Sequence, residues 1–156
     1  MRLFFIKGKN IKGDVCMKDI KVREMTIKDY CYVIDLWEKT ECIGLSESDS
    51  KEGISIYLKR NPGLSFVAVI NDEVIGAALC GHDGQRGYIH HLAIDKRYRF
   101  NGIGKELVMN CLNKLKEQGI KKCHLFVLRN NHCGTKFWMK QGWKIREDLN
   151  IMSRDI

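Results

Sequence analysis

A single proline, Pro62, stands in the whole chain. Helices and strands are therefore not broken from within elsewhere, and proline-rich linkers are excluded. No apolar run approaches the roughly 20 residues that a membrane-spanning helix needs, so no membrane partner is expected. The apolar stretch Leu3-Phe4-Phe5-Ile6 is too brief for the core of a secretory signal, and no small-residue cleavage site follows it. Internal repeats and low-complexity tracts are absent. Acidic residues are the minority, 19 Asp and Glu against 27 Lys and Arg, which leaves a net charge of +8. That balance suits nucleic acid, a membrane surface or an anionic cofactor. The cations are scattered, however, and no aromatic-interleaved basic patch stands out. The expectation is a local anion site and no nucleic-acid partner.

Cysteine pairs at metal or redox spacing are also missing. The seven cysteines, at positions 16, 31, 42, 80, 111, 123 and 133, are odd in number and widely spaced, and no C-x-x-C occurs. They are expected to be free, mostly buried thiols of a cytoplasmic protein. His82, His124 and His132 lack ligand spacing with any cysteine, so no metal is expected.

What is present reads as alternating local patterns. Residues 20–23 alternate as a half-buried strand does. Thr26 is placed to cap a helix, with Asp29 three residues on, and Ile27, Tyr30, Cys31, Ile34 and Trp37 fall near one face. A polar loop carrying Glu41, Glu47 and Asp49 leads to a second helix over residues 48–60 with Ile54, Tyr57 and Leu58 inward. It is stopped by Asn61-Pro62-Gly63. Residues 64–70 and 74–80 form a hairpin around Asn71-Asp72-Glu73, and residues 87–94 follow as a third strand. Ile103, Leu107, Val108, Cys111, Leu112 and Leu115 then mark the strongest helical period in the chain, ended by Gly119. A strand over residues 122–128, a short helix through Lys140 and a last strand pair over residues 143–147 and 150–155 complete it. The order β-α-α-β-β-β-α-β-α-β-β specifies an α/β architecture with a mixed sheet, an α+β arrangement in its antiparallel part. Met17 opens a stretch that reads as a natural start. Residues 1–19 are therefore expected to be a peripheral extension and residues 20–156 a single domain.

Between the third strand and the long helix lies Arg99-Phe100-Asn101-Gly102-Ile103-Gly104-Lys105. A strand, a glycine turn and a helix start make an anion cradle, because the first helical N–H groups have no intrahelical partner. Two familiar phosphate loops fail here. The dinucleotide fingerprint needs a third glycine where Leu107 stands, and a Walker loop needs Ser or Thr where Glu106 stands. Taken alone, the turn is compatible with a mere strand-to-helix corner.

The surrounding residues narrow this. The stretch from His91 to Leu107, with Leu92-Ala93-Ile94 before Arg99-x-x-Gly102-x-Gly104, resembles motif A of the GNAT superfamily of N-acetyltransferases. Asn131-x-x-Gly134-x-x-Phe137-Trp138-x-x-x-Gly142-Trp143 resembles its motif B. The likeness covers about residues 20–156 and implies a GNAT-like fold with splayed central strands, and acetyl-CoA as cofactor. By this resemblance Leu92, Ala93 and Ile94 supply backbone groups to the pantetheine arm. Arg99, Phe100, Asn101, Gly102, Ile103, Gly104 and Lys105 hold the pyrophosphate, with Lys96 and Arg97 adding positive charge. Asn131 and Trp138 contact the cofactor further on. Homodimers are frequent among such proteins.

The implied reaction moves an acetyl group to a primary amine, on a small molecule or a protein, by direct attack. It needs a base for the amine and an acid for the thiolate. His90 is the candidate base and Tyr88 the candidate acid, on the reasoning that residues 88, 90 and 92 share one strand face. His91 then points the other way and is expected to be structural. Two departures stand out. Trp138 occupies the place of the family's usual tyrosine acid, and indole N–H does not supply a proton near neutral pH. Phe126 stands where some members carry a glutamate base. A non-catalytic acyl-CoA-binding sensor is the alternative these departures leave open.

Overall fold

The computed structural model describes residues 19–156; all of the expected N-terminal extension but Asp19 lies outside them. Strands β1 (Lys21–Glu24), β2 (Phe66–Ile70), β3 (Glu73–His82), β4 (Gly87–Ile94) and β5 (Cys123–Leu125) form one mixed sheet in chain order. Every neighbouring pair is antiparallel except β4–β5, which is parallel. That last pairing requires a crossover, and helix α3 (Ile103–Glu117) supplies it. Helices α1 (Tyr30–Glu38) and α2 (Lys51–Arg60) precede the hairpin as expected.

The two sheet faces are covered differently. Val33, Leu36 and Trp37 of α1 and Ile54 of α2 pack with Val67, Ala77, Leu79 and Ala93 of the strands. On the other face α3 turns inward with Ile103, Leu107, Val108, Cys111 and Leu115, following the sequence period except that Leu112 is half-buried. Gly76 is one place where α3 packs close on the sheet, and Gly87, against Leu115, is another. A Cβ on Gly76 would stand 2.9 Å from Ile94 Cδ1 and 3.2 Å from Leu107 Cδ1. No helix of the described residues is long and apolar enough to cross a membrane.

Two polar knots hold the edges of this core. Asp29 ends a 3-10 turn, Ile27–Asp29, before α1 and accepts from Thr26 N at 2.8 Å. The Arg23 guanidinium reaches both its carboxylate oxygens, at 2.6 and 2.8 Å. Burial pushes the Asp29 pKa up, but Arg23 and the Thr26 N–H outweigh it and hold the carboxyl below its usual value. A depressed folded-state pKa gives stability that is present above the unfolded value and lost as pH falls through the folded one. Asp29→Asn is therefore expected to flatten the acid limb of stability against pH, read from urea midpoints below about pH 5. Ser65 forms the second knot. Its buried hydroxyl donates to Cys80 O and accepts from Cys80 N, both at 3.0 Å. Ser65→Ala orphans both backbone groups and is expected to cost about 1–3 kcal/mol in urea unfolding.

Several expectations are corrected. Cys31 alone of its expected stripe is exposed, because the buried face of α1 runs through Val33, Leu36 and Trp37, with Ile27, Tyr30 and Ile34 packed at its margin. Cys42 and Cys133 are exposed too; only Cys80 and Cys111 of the described cysteines are fully buried, and all six are free. Helix α2 starts at Lys51, after a separate 3-10 turn Glu47–Asp49. Strand β5 has three residues instead of seven, and no strand forms over 143–147 or 150–155. Alternation there lacks the neighbour on which a strand depends for its backbone bonds.

The chain divides into two units, one through Phe126 and one from Val127 to Ile156. The second contains helix α4 (His132–Lys140), whose first turn is capped by Asn131 Oδ1 accepting from Gly134 N at 2.8 Å.

Candidate active site

The turn after β4 is built by backbone geometry that few side chains tolerate. Asp95 caps a 3-10 turn, Lys96–Tyr98, accepting from Arg97 N at 2.8 Å, and Tyr98 is buried beneath it. Phe100 and Gly102 then adopt left-handed conformations, with φ of +66° and +82°. Asn101 ties the loop by donating from Nδ2 to Tyr98 O at 3.1 Å and Arg99 O at 2.9 Å. The first helical bond is Glu106 N to Gly102 O, at 3.0 Å. The N–H groups of Ile103, Gly104 and Lys105 lie ahead of it, unpaired within the helix. Gly102 caps α3 without a side chain, and a Cβ there would meet nothing within 4 Å. Phe100 is fully exposed beside it.

The charge around this cradle is lower than a count of cations gives. Arg97 is paired with Asp95 and Glu73. Glu41 of the α1–α2 loop reaches both Lys96 and Arg99, the latter at 3.3 Å. Hydrogen bonds from Lys96, from its own backbone and from Arg99 hold the Glu41 carboxyl down at about 2. Arg99 also donates from Nε to Ile94 O at 3.0 Å. Lys105 is exposed, and no ion pair among the described residues involves it.

Strand β4 reaches the cradle with one side open. Asp95 N bonds Ile75 O, so His91 and Ala93 direct their backbone groups at β3, while Leu92 and Ile94 direct theirs away. On that far side β5 pairs only with Gly87–Ile89. The central strands are thus splayed from His90 onward among the described residues. Leu92 presents its N–H and C=O to the gap; the Ile94 carbonyl is already taken by Arg99.

The strand face carrying Tyr88 differs from the expected alternation. Cross-strand partners run Leu79↔His91 and then Cys80↔Ile89, so His90 is an extra residue, a β-bulge. Beyond a bulge the facing pattern changes phase. Tyr88, His90 and His91 all face the α1–α2 side, while Leu92, opposite Ala78, faces α3 with Ile94. The expected grouping of 88, 90 and 92 is corrected, as is the placement of His91 on the opposite face. The His90 ring stacks on Tyr88 with centroids 6.1 Å apart and meets the Tyr57 ring edge-on at 5.4 Å. Burial and the neighbouring His91 lower the His90 pKa, and Asp49 partly opposes them. Burial also raises the Tyr57 pKa strongly, so its phenol stays protonated. The Tyr88 hydroxyl lies 3.4 Å from Asp83 Oδ2. An imidazole whose surroundings favour its neutral form and two phenols therefore stand together beside the open strand edge, groups able to accept and to donate a proton.

Residues 28–143 match the acetyltransferase (GNAT) family. The chain belongs to the GNAT family. An acetyltransferase of Pectobacterium atrosepticum is 31% identical over 112 residues, 72% of this chain and 79% of that protein. N-alpha-acetyltransferase 30 of Schizosaccharomyces pombe is 34% identical over 122 residues, 75% of this chain and 77% of that one. Among solved structures, the PaiA N-acetyltransferase of Thermoplasma acidophilum in complex with coenzyme A shares 25% identity at a TM-score of 0.72. It covers 82% of this chain and 91% of its own.

The two stretches that resemble GNAT motifs fall in different units. The first, from His91 to Leu107, is the turn and strand just described. In the second, Asn131 spends its side-chain oxygen on capping α4. Trp138 packs edge-to-face with Phe137 and Trp143, at 5.1 and 5.2 Å. The sequence reading missed Tyr57 and the pairing of Asp49 with His91. A local sign of the latter was present: Ser46-x-x-Asp49 is a capping box, which fixes where that carboxylate stands.

Proposed function

We propose that this GNAT chain is an acetyl-CoA-dependent N-acetyltransferase that moves the acetyl group directly to a primary amine. The observation carrying this reading is the continuity of three features on one strand. The bulge sets His90 beside the open β4 edge, the edge leads to the left-handed turn, and the turn delivers the unpaired N–H groups of α3. Those residues suit coenzyme A. A side-chain-free cap leaves room for phosphate, the helix start favours negative charge, and Leu92 offers strand-like bonds to an amide-bearing arm. When bound, acetyl-CoA supplies an activated thioester.

The chain's own groups then manage protons and position. His90 accepts the proton lost by the amine nitrogen as the N–C bond forms and the C–S bond breaks. Tyr88 or Tyr57 holds a proton for the departing thiolate. The buried cysteines are poor nucleophiles, which speaks against an acyl-cysteine route through them: Cys111 hydrogen-bonds with Cys80, burial adds to that, and the Cys111 thiol pKa rises.

The test is thiol release from acetyl-CoA with a panel of small amines and peptides beginning with different residues. Turnover with at least one amine, and loss of its basic amino group in the product, is the expected result. Trp138 favours a second reading, a non-catalytic acyl-CoA sensor, because it removes the family's usual tyrosine. Tight acetyl-CoA binding by calorimetry with no turnover across the panel would select the sensor and reject the enzyme.

A further inference from the structure

Asp49 is a point at which three segments meet. Its Oδ1 lies 2.8 Å from His91 Nε2 across 42 residues of sequence. Its Oδ2 accepts from Ser46 N at 2.8 Å, and its backbone carbonyl accepts from the Tyr30 hydroxyl at 3.1 Å. The Asp49 and His91 side chains are 8% and 13% exposed. The Trp37 ring lies against His91, with centroids 4.7 Å apart. His91 is thus held between a carboxylate and an indole, in one place.

That matters because of what precedes it. His90 is the extra residue of the bulge and has no cross-strand partner. Its direction is set by its neighbours, Ile89 paired to Cys80 and His91 held by Asp49. Tyr57, which meets His90 edge-on, belongs to α2, the helix that starts two residues after Asp49. One carboxylate therefore ties together the strand that carries His90 and the helix start that leads to Tyr57.

We propose that Asp49 and His91 are a positioning pair: they clamp the segment leading into α2 onto the bulge of β4 and so set the direction of the His90 ring. The proposal rests on the acetyl-transfer reading above, in which His90 handles the amine proton. The titratable groups that face His90 are Tyr57 from α2, Tyr88 and His91 from its own strand, and Asp49 from the turn before α2. The two partners act on the His90 pKa with opposite signs, His91 lowering it and Asp49 raising it.

The opposite signs make the test specific. In the full chain, His90 is titrated by imidazole NMR in wild type, Asp49→Asn and His91→Asn. The expected midpoint moves down in Asp49→Asn and up in His91→Asn. With an amine that wild type acetylates, kcat/KM is expected to fall about tenfold in both variants, while the acetyl-CoA Kd changes by less than about twofold. An unmoved His90 midpoint in both variants, or a shift of the same sign in both, overturns the proposal. Equal loss of cofactor affinity and of kcat/KM also overturns it, since that marks general damage. If Asp49→Asn does not fold, His91→Asn alone decides by the presence or absence of the upward shift. If wild type acetylates no amine, the enzyme reading fails, while the NMR result still decides the clamp.

Discussion

Gly102→Glu is expected to weaken acetyl-CoA binding at least a hundredfold, the largest effect on affinity of any single change at the turn. Gly102 has φ of +82°, and nothing lies within 4 Å of the place a Cβ would take. A Cβ there has open space around it, and Gly102 is the cap of α3, beside the first helical N–H groups. The left-handed backbone alone costs an L-residue about 1–2 kcal/mol, a stability effect. The carboxylate adds a second one of a different kind. Two like charges about 4 Å apart at a protein surface repel by about 4 kcal/mol, which is about three decades in affinity. Gly102→Ala separates the two contributions: it carries the strain without the charge. Calorimetry should find Gly102→Ala far closer to wild type than Gly102→Glu, and salt should restore part of the latter's loss. Binding by Gly102→Glu within threefold of wild type would defeat the cofactor assignment to this turn.

How far the sequence carries such an argument depends on whether the pattern is local. The period of α3, the β2–β3 hairpin and the cap at Thr26 are set by neighbours a few residues apart, and they were legible; the caps at Ser46 and Asn131 are as local but were not read as caps. The bulge at His90 was not, because it exists only in the register between β3 and β4. One extra residue reversed the facing of His91 and Leu92 and made a strand-parity argument fail halfway along a correctly placed strand. The basicity of the turn was overstated for the same reason. Glu41 stands 58 residues from Arg99 in the chain, and nothing local signals their pairing. The C-terminal alternation over 143–147 and 150–155 failed in the opposite direction, since a two-residue period specifies a strand only where another strand receives it.

His90→Ala is expected to lower kcat about a hundredfold while acetyl-CoA affinity stays nearly unchanged, because general-base catalysis contributes about 10²–10⁴. Affinity is spared because the ring faces the α1–α2 side, whereas Leu92, the strand residue with free backbone groups, follows the bulge and faces away. The pH dependence follows from the direction of the pKa shift. A base works when deprotonated, and the His90 pKa lies below its ordinary value of about 6.5. The acid limb of kcat/KM should therefore fall below that pH, leaving a plateau through neutrality. His90→Ala should remove that limb, and Tyr57→Phe should leave it, because burial keeps the Tyr57 phenol protonated across the same range. An acid limb that persists unchanged in His90→Ala would take the base role from this residue. The amine proton would then have to leave through Tyr88 or water, and the bulge would matter for shaping the open strand edge alone.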